Sequence, residues 1–215
     1  MDLRSMELAH DMRTPIQLIY SCVQLLELEL APNARAEGYL QTLLQSAGQL
    51  QSMVEHALDG EKLHLELHDV VAEARDLCRQ SALFARERGI EIRFSSNVPE
   101  LRMLIDVEKL RRMLNNLISN ALRFTPEGGS VEVSCVASAG ELELRVRDHG
   151  CGVPVEMQER IFENGVTDGG HGYGLGIVQS YARLLGGDIS VQSAPGRGSC
   201  FILRLPVRHA ASQIN

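Results

Sequence analysis

The sequence predicts an α+β protein in two parts: an N-terminal helical hairpin, then a mixed domain built on an antiparallel-rich sheet. Three observations carry this expectation. Apolar residues recur at three- and four-residue steps as far as Ala57, Asp59-Gly60-Glu61-Lys62 interrupts them as a hinge, and beyond it alternating β-branched runs appear between amphipathic helical stretches.

The first helix is expected from Met6 to Leu30, where Met12, Ile16, Ile19, Val23, Leu26 and Leu30 form a stripe that Leu18, Cys22 and Leu25 widen. Ala31-Pro32-Asn33 stops it. A second stripe, Leu40, Leu43, Ala47, Leu50, Val54 and Ala57, completes the hairpin. Two helices cannot cover faces this wide, so the hairpin is expected to pair with a second copy in a dimeric four-helix bundle; packing on the rest of the same chain is the alternative.

After the hinge, Asp69 to Arg88 reads as a helix and Ile90 to Phe94 as a strand. Asp106 is suited to cap a helix whose inner face is Leu110, Met113, Leu114, Leu117, Ile118 and Ala121. Strands follow at Ser130 to Val136 and Glu141 to Arg147, flanking a turn at Ser138-Ala139-Gly140. A helix near Leu175 to Leu185 and strands at Asp188 to Ser193 and Ser199 to Leu205 close the domain. No internal repeat or low-complexity segment interrupts this order.

Composition bounds the function. The 215 residues are 44% hydrophobic and 23% charged, a balance that supports a folded core and excludes disorder. A formal net charge of -7 opposes non-specific nucleic-acid binding, which needs clustered cations. No window reaches the roughly 18 to 20 apolar residues of a membrane span, and MDLRSMELAHD lacks a signal-peptide core, so a cytoplasmic location is expected. Cys22, Cys78, Cys135, Cys151 and Cys200 are unpaired in spacing and odd in number, which favours reduced thiols over disulfides or zinc. Seven scattered histidines are, by default, ordinary surface or core side chains.

One histidine stands apart. In Leu8-Ala9-His10-Asp11-Met12-Arg13-Thr14-Pro15, Asp11 can orient the His10 imidazole and take its proton on attack, while Thr14 lies one helical turn on. Pro15 suggests a kink beside it.

A phosphoryl-donor site is the necessary complement. On the predicted helix, Asn116, Asn120 and Arg123 share the face opposite the apolar one; amide oxygens suit Mg²⁺, and Arg123 suits phosphates. Asp148-His149-Gly150-Cys151-Gly152 follows a strand, offering a carboxylate to an adenine amino group and glycines that allow close backbone approach. Gly169-Gly170-His171-Gly172-Tyr173-Gly174-Leu175-Gly176 runs into a helix, where backbone N–H groups attract anions. No Gly-Lys-Ser/Thr follows, so this is not a P-loop, and no strand precedes it, which argues against a dinucleotide fingerprint. Gly196-Arg197-Gly198-Ser199 opens the last strand, with the Ser199 hydroxyl within reach of the adenine side.

The order of these segments resembles the sensor histidine kinases of two-component systems over nearly the whole chain. HDMRTP is similar to that family's phosphoacceptor motif, NLISNALRFTPEGG to its N box, Ile161-Phe162-Glu163 to its F box, and DHGCG and GHGYGLG to its glycine boxes. The resemblance implies a dimerisation and phosphotransfer hairpin at 1–60, an α/β-sandwich ATP-binding domain of the histidine kinase/gyrase type at 61–208, and a tail at 209–215. It implies an autokinase that phosphorylates His10 with ATP and Mg²⁺, passes the group to an aspartate of a response regulator receiver domain, and dephosphorylates that regulator.

By position the family makes His10 the phosphoacceptor, Asp11 its acid–base neighbour and Thr14 the residue used in dephosphorylation. Asn120 becomes the principal Mg²⁺ ligand, Asn116 a second amide, Arg123 a phosphate contact where a Lys is usual, and Asp148 the adenine reader. Phe124, Gly150, Gly152, Gly172, Gly174, Leu175, Gly176 and Ser199 line the nucleotide. Hydrolytic relatives carry a glutamate at the position of Asn116 to activate water; an amide there suits a kinase.

Two departures are visible. Nine residues precede His10, which implies an excised core or a separate sensor module or subunit, and Glu163 to His171 is short for the segment that closes over ATP. Cys151, beside the expected adenine site, is read as a spectator thiol, with a redox-sensitive thiol as the alternative. Two rival readings are a non-enzymatic dimeric phosphorelay or scaffold module with a degenerate ATP site, and a protein serine kinase on the same ATP fold. Intact Asn120, Asp148 and glycine segments oppose the first, and the His10 hairpin is superfluous to the second.

Overall fold

The computed structural model describes residues 63–162 and 174–209, with Ile19 the one other described position. The chain divides into two compact units, and these two ranges belong to the second. The hairpin, with His10, Asp11 and Thr14, lies outside the described residues, as do Gly172 and the segment 163–173.

The second unit is a five-stranded sheet with three helices against one face. Its strands are β2 (Glu91–Ser96), β4 (Ser130–Ser138), β5 (Glu141–Asp148), β7 (Ser199–Pro206) and β6 (Asp188–Ser193), in the spatial order β2-β4-β5-β7-β6. All neighbours are antiparallel except β2 and β4, which run parallel in the register Ile92 to Val131. A separate antiparallel ribbon pairs β1 (Glu66–Asp69) with β3 (Arg102–Ile105). Alternation along the strands turns Val131, Val133, Cys135, Leu142, Leu144, Val146, Leu203 and Leu205 into one buried layer.

Helix α1 (Val70–Ala85) begins one residue later than its sequence suggests, because Asp69 ends β1 and is the N-cap. Its Oδ1 accepts from Val71 N–H at 3.0 Å and from Leu101 N–H at 3.1 Å. The α-helix ends at Ala85 and a 3₁₀ turn covers Arg86–Arg88. Gly89 is the reason: with φ of 64° it takes the left-handed conformation that stops a helix, and Ile90 N–H returns to the Ala85 carbonyl at 3.0 Å.

Helix α2 (Val107–Phe124) carries the widest apolar stripe, and Leu110, Met113, Leu114, Leu117, Ile118 and Ala121 are all buried as the periodicity predicts. Asp106 caps it by accepting from Lys109 N–H at 3.1 Å, and its Oδ2 accepts from His64 N–H at 3.0 Å. The Lys109 ammonium lies 3.2 Å from the same oxygen, and both side chains are buried. Burial alone would raise the Asp106 carboxyl, but these donors hold it below the usual carboxylate range. Helices α1 and α2 are tied by Arg111, whose Nε and Nη2 donate to the two Glu73 oxygens at 2.6 and 3.1 Å.

Helix α3 (Gly174–Leu184) buries Val178, Tyr181 and Ala182 against the same layer. The β4–β5 hairpin turns through Ala139 and Gly140, both at positive φ (39° and 86°), the twist a two-residue connection requires.

Candidate nucleotide site

The site begins where β5 ends. Strand alternation sends Asp148 inward after Leu142, Leu144 and Val146, so a carboxylate arrives at the rim of the apolar layer only 3% exposed. Its Oδ1 accepts from Gly150 N–H at 2.9 Å and from Ser199 N–H at 3.2 Å. Burial pushes the Asp148 carboxyl above its ordinary range, and these two donors offset that only in part. Among the described residues no group donates to Oδ2. A buried acceptor left in this state is suited to an external N–H donor such as an amino group on a flat base.

Three backbones converge there because side chains are absent. A Cβ on Gly150 would meet the Phe124 carbonyl oxygen at 2.4 Å. Gly152 (φ of 73°) lies against the Ala194 carbonyl, and Gly198 (φ of 73°) against that of Asp148, with would-be contacts of 2.0 and 2.1 Å. The Asp148 loop, the end of α2 and the turn before β7 therefore form one wall.

The second wall is the polar face of α2. Asn116, Asn120 and Arg123 are half-buried on one side of it. Asn116 Nδ2 donates to the Arg112 carbonyl at 3.0 Å, which turns its Oδ1 outward. A Cβ on Gly174 would sit 2.9 Å from that Oδ1, so the first residue of α3 packs on the amide. The Asn120 carboxamide has no hydrogen-bond partner among the described residues. The Arg123 guanidinium stacks 5.0 Å from the ring centre of Phe124, which is 44% exposed. Leu175 and Gly176 occupy the first turn of α3 and are half-buried, beside the 3₁₀ turn that holds Ile161 and Phe162.

The structure thus joins Asp148, Gly150, Gly152, Phe124 and Ser199 in one wall and Asn116 with Gly174 in the other. Two side chains escaped sequence reasoning. The Ser193 hydroxyl donates to the Gly198 carbonyl at 2.8 Å, accepts from Val153 N–H at 2.8 Å, and lies 3.0 Å from the Ser199 hydroxyl. Gln158 Nε2 donates to the carbonyls of Val153 and Ser193 at 3.1 and 2.9 Å. No local signal marks either, since a strand-end Ser and a Gln after a turn are ordinary in any sequence.

The fit of this site to Mg-ATP rests on its donor set. Asp148 Oδ2 provides an acceptor for a base amino group, and the Asn120 amide a hard oxygen for an ion that keeps waters and phosphates as its other ligands. No three His, Cys, Asp or Glu side chains cluster to hold a metal among the described residues.

Comparison with known proteins agrees with both halves of the chain. Residues 6–66 match the His Kinase A (phospho-acceptor) domain, and residues 105–209 match the histidine kinase-, DNA gyrase B- and HSP90-like ATPase family. Sensor protein DivL of Caulobacter vibrioides is 32% identical over 209 residues, covering 92% of this chain and 27% of that protein. Histidine protein kinase DivJ of the same organism is 30% identical over 216 residues, covering 93% and 36%. The crystal structure of full-length ShkA in complex with AMPPNP superposes with a TM-score of 0.72 at 30% identity, covering 98% of this chain and 47% of that one. The chain spans about a quarter to a third of the two curated relatives' lengths. With its phospho-acceptor and ATPase-type segments in that order, the chain belongs to the sensor histidine kinases of two-component systems.

Proposed function

We propose that this chain is the kinase core of a homodimeric sensor protein, and that it transfers the γ-phosphoryl group of ATP to His10. The observation that carries this reading is the buried Asp148 carboxylate, one oxygen held by two N–H groups and the other without a described donor. The ATP-binding fold of the family and the AMPPNP bound in ShkA support it.

In this reading Asp148 accepts from the adenine amino group, and Gly150, Gly152 and Ser199 keep the backbone close to the base. Asn116 and Asn120 face the phosphates with the N–H groups of Gly174, Leu175 and Gly176, Arg123 pairs with a phosphate, and Phe124 covers the nucleotide. Asn120 holds Mg²⁺, with Asn116 beside it; the ion neutralises phosphate charge when bound. A His10 ring nitrogen attacks the γ-phosphorus as the bond to the ADP oxygen breaks, and Asp11 takes the imidazole proton. The group then passes to an aspartate of a response regulator, and Thr14 serves in removing it from that partner. Signals come from a sensor module or subunit outside these residues. Cys78, Cys135, Cys151 and Cys200 are free thiols, which suits the reducing cytoplasm where ATP is supplied.

Incubation with γ-labelled ATP and Mg²⁺ tests this. Acid-labile, base-stable label on the wild type, absent from His10→Gln, is the expected result. Acid-stable label would instead indicate a serine kinase, and no label a phosphorelay scaffold. In Thr14→Ala labelling should persist while regulator dephosphorylation falls; unchanged dephosphorylation would remove Thr14 from its role.

A further inference from the structure

The 3₁₀ turn Val155–Met157 leaves the Asp148 loop, and its next residue folds back onto that loop. Gln158 uses both hydrogens of one amide: Nε2 donates to the Val153 carbonyl at 3.1 Å and to the Ser193 carbonyl at 2.9 Å. Ser193 closes the circuit, because its hydroxyl accepts from Val153 N–H at 2.8 Å. Residue 153 at the end of the loop and residue 193 at the end of β6 are therefore joined twice, once directly and once through Gln158.

The proton count carries the connection to the site. The Ser193 hydroxyl spends its hydrogen on the Gly198 carbonyl at 2.8 Å, so the 3.0 Å contact with Ser199 is donated by the Ser199 hydroxyl. Ser199 is 7% exposed, and its N–H is one of the two that hold Asp148 Oδ1. Ser193 thus touches both the loop after Asp148 and the residue that orients its carboxylate. Gln158 has no contact with the carboxylate itself and acts only through Val153 and Ser193.

We infer that Gln158 and Ser193 are positioning residues for nucleotide recognition, clamping the Asp148 loop against the β6–β7 turn so that the carboxylate meets the 6-amino group of adenine. This rests on the reading of Asp148 as the adenine-facing group. Loosening the clamp weakens selection of that amino group and leaves the phosphoryl-transfer step unchanged.

The experiment uses the full chain and three variants: Gln158→Leu, which removes the donors; Gln158→Glu, which keeps the shape but turns an ionised acceptor toward two carbonyls; and Ser193→Ala. The readouts are Kd for ATP and for a purine triphosphate with a keto group in place of the 6-amino group, and KM and kcat for autophosphorylation. Leaving two partly buried carbonyls without donors is expected to raise Kd and KM for ATP about tenfold. The keto analogue should lose less than threefold on the order-of-magnitude scale of such bonds, and kcat should stay within about twofold. The double variant Gln158→Leu with Ser193→Ala should fall short of the product of the single effects, since both act in one network. Wild-type ATP affinity in both Gln158 variants, or equal losses for the two nucleotides, or a fall in kcat at constant KM, would overturn the clamp. Failure of the wild type to distinguish the two nucleotides would instead remove the reading of Asp148 on which it rests.

Discussion

Ser199 N–H reaches Asp148 Oδ1 at 3.2 Å although the two lie 51 positions apart, and this bond joins the end of β5 to the start of β7 at the candidate nucleotide site. It fixes which carboxylate oxygen remains for a ligand. The consequences can be measured one group at a time.

Asp148→Asn keeps the shape and the acceptor for Gly150 and Ser199 but removes the charge that, in the proposed reading, receives an amino group. ATP affinity should fall by about 10- to 100-fold, the range for a hydrogen bond to a charged group. Because burial raises the native carboxyl above its unfolded value, the ionised form costs stability above that raised value, and the cost is relieved as pH falls through it toward the ordinary range. The variant should therefore melt no lower than the wild type at neutral pH while binding less ATP. Wild-type affinity should itself decline as pH drops through the raised value; calorimetric titration across that window checks both.

Gly196 and Gly198 share a φ of 73°, but only Gly198 lies against another backbone, the Asp148 carbonyl. Gly196→Ala should cost about 1 to 2 kcal/mol, the price of the left-handed conformation. Gly198→Ala should cost about 1 to 3 kcal/mol more through overpacking and should abolish ATP binding. Equal urea midpoints for the two would contradict the close approach.

Asp106→Ala removes an N-cap and leaves the Lys109 ammonium buried without its partner. A loss of about 3 to 5 kcal/mol is expected, and Lys109→Met should lose much less, since it leaves the carboxylate its two backbone donors. The Asp106 carboxyl is depressed in the folded state, so its contribution is present in full above the ordinary aspartate range and disappears as pH falls through the depressed value. Acid unfolding of the wild type should flatten over that window in Asp106→Ala.

Asn120→Ala should lower Mg-ATP affinity with little effect on binding of ATP in a chelator, because in the proposed reading its amide oxygen contacts the ion and not the base. Retained Mg-dependent affinity would remove Asn120 from the metal site. A circular dichroism melt near that of the wild type is expected, since the carboxamide has no described partner to lose.

Much of this domain was legible one residue at a time. The buried face of α2, the alternating strands β4 and β5 and the capping role of Asp106 follow from periodicity and side-chain chemistry within short windows. The ribbon of β1 and β3 was not, because each strand has four residues and a pattern that short does not separate strand from loop. The parallel pairing of β2 with β4 was equally hidden, since register between distant strands depends on how helices cover the sheet.

At the site, the sequence by itself determined the chemistry available: a carboxylate after a strand, amides one helical turn apart, and glycines wherever backbone must come close. Only the tertiary structure decided which oxygen of Asp148 is occupied, that Gly174 packs on Asn116, and that Gln158 and Ser193 brace the loop. The physical reason is range. Propensity and periodicity act between neighbours, whereas a hydrogen bond of 2.9 Å between residues 35 positions apart exists only after the core has brought their strands and turns together.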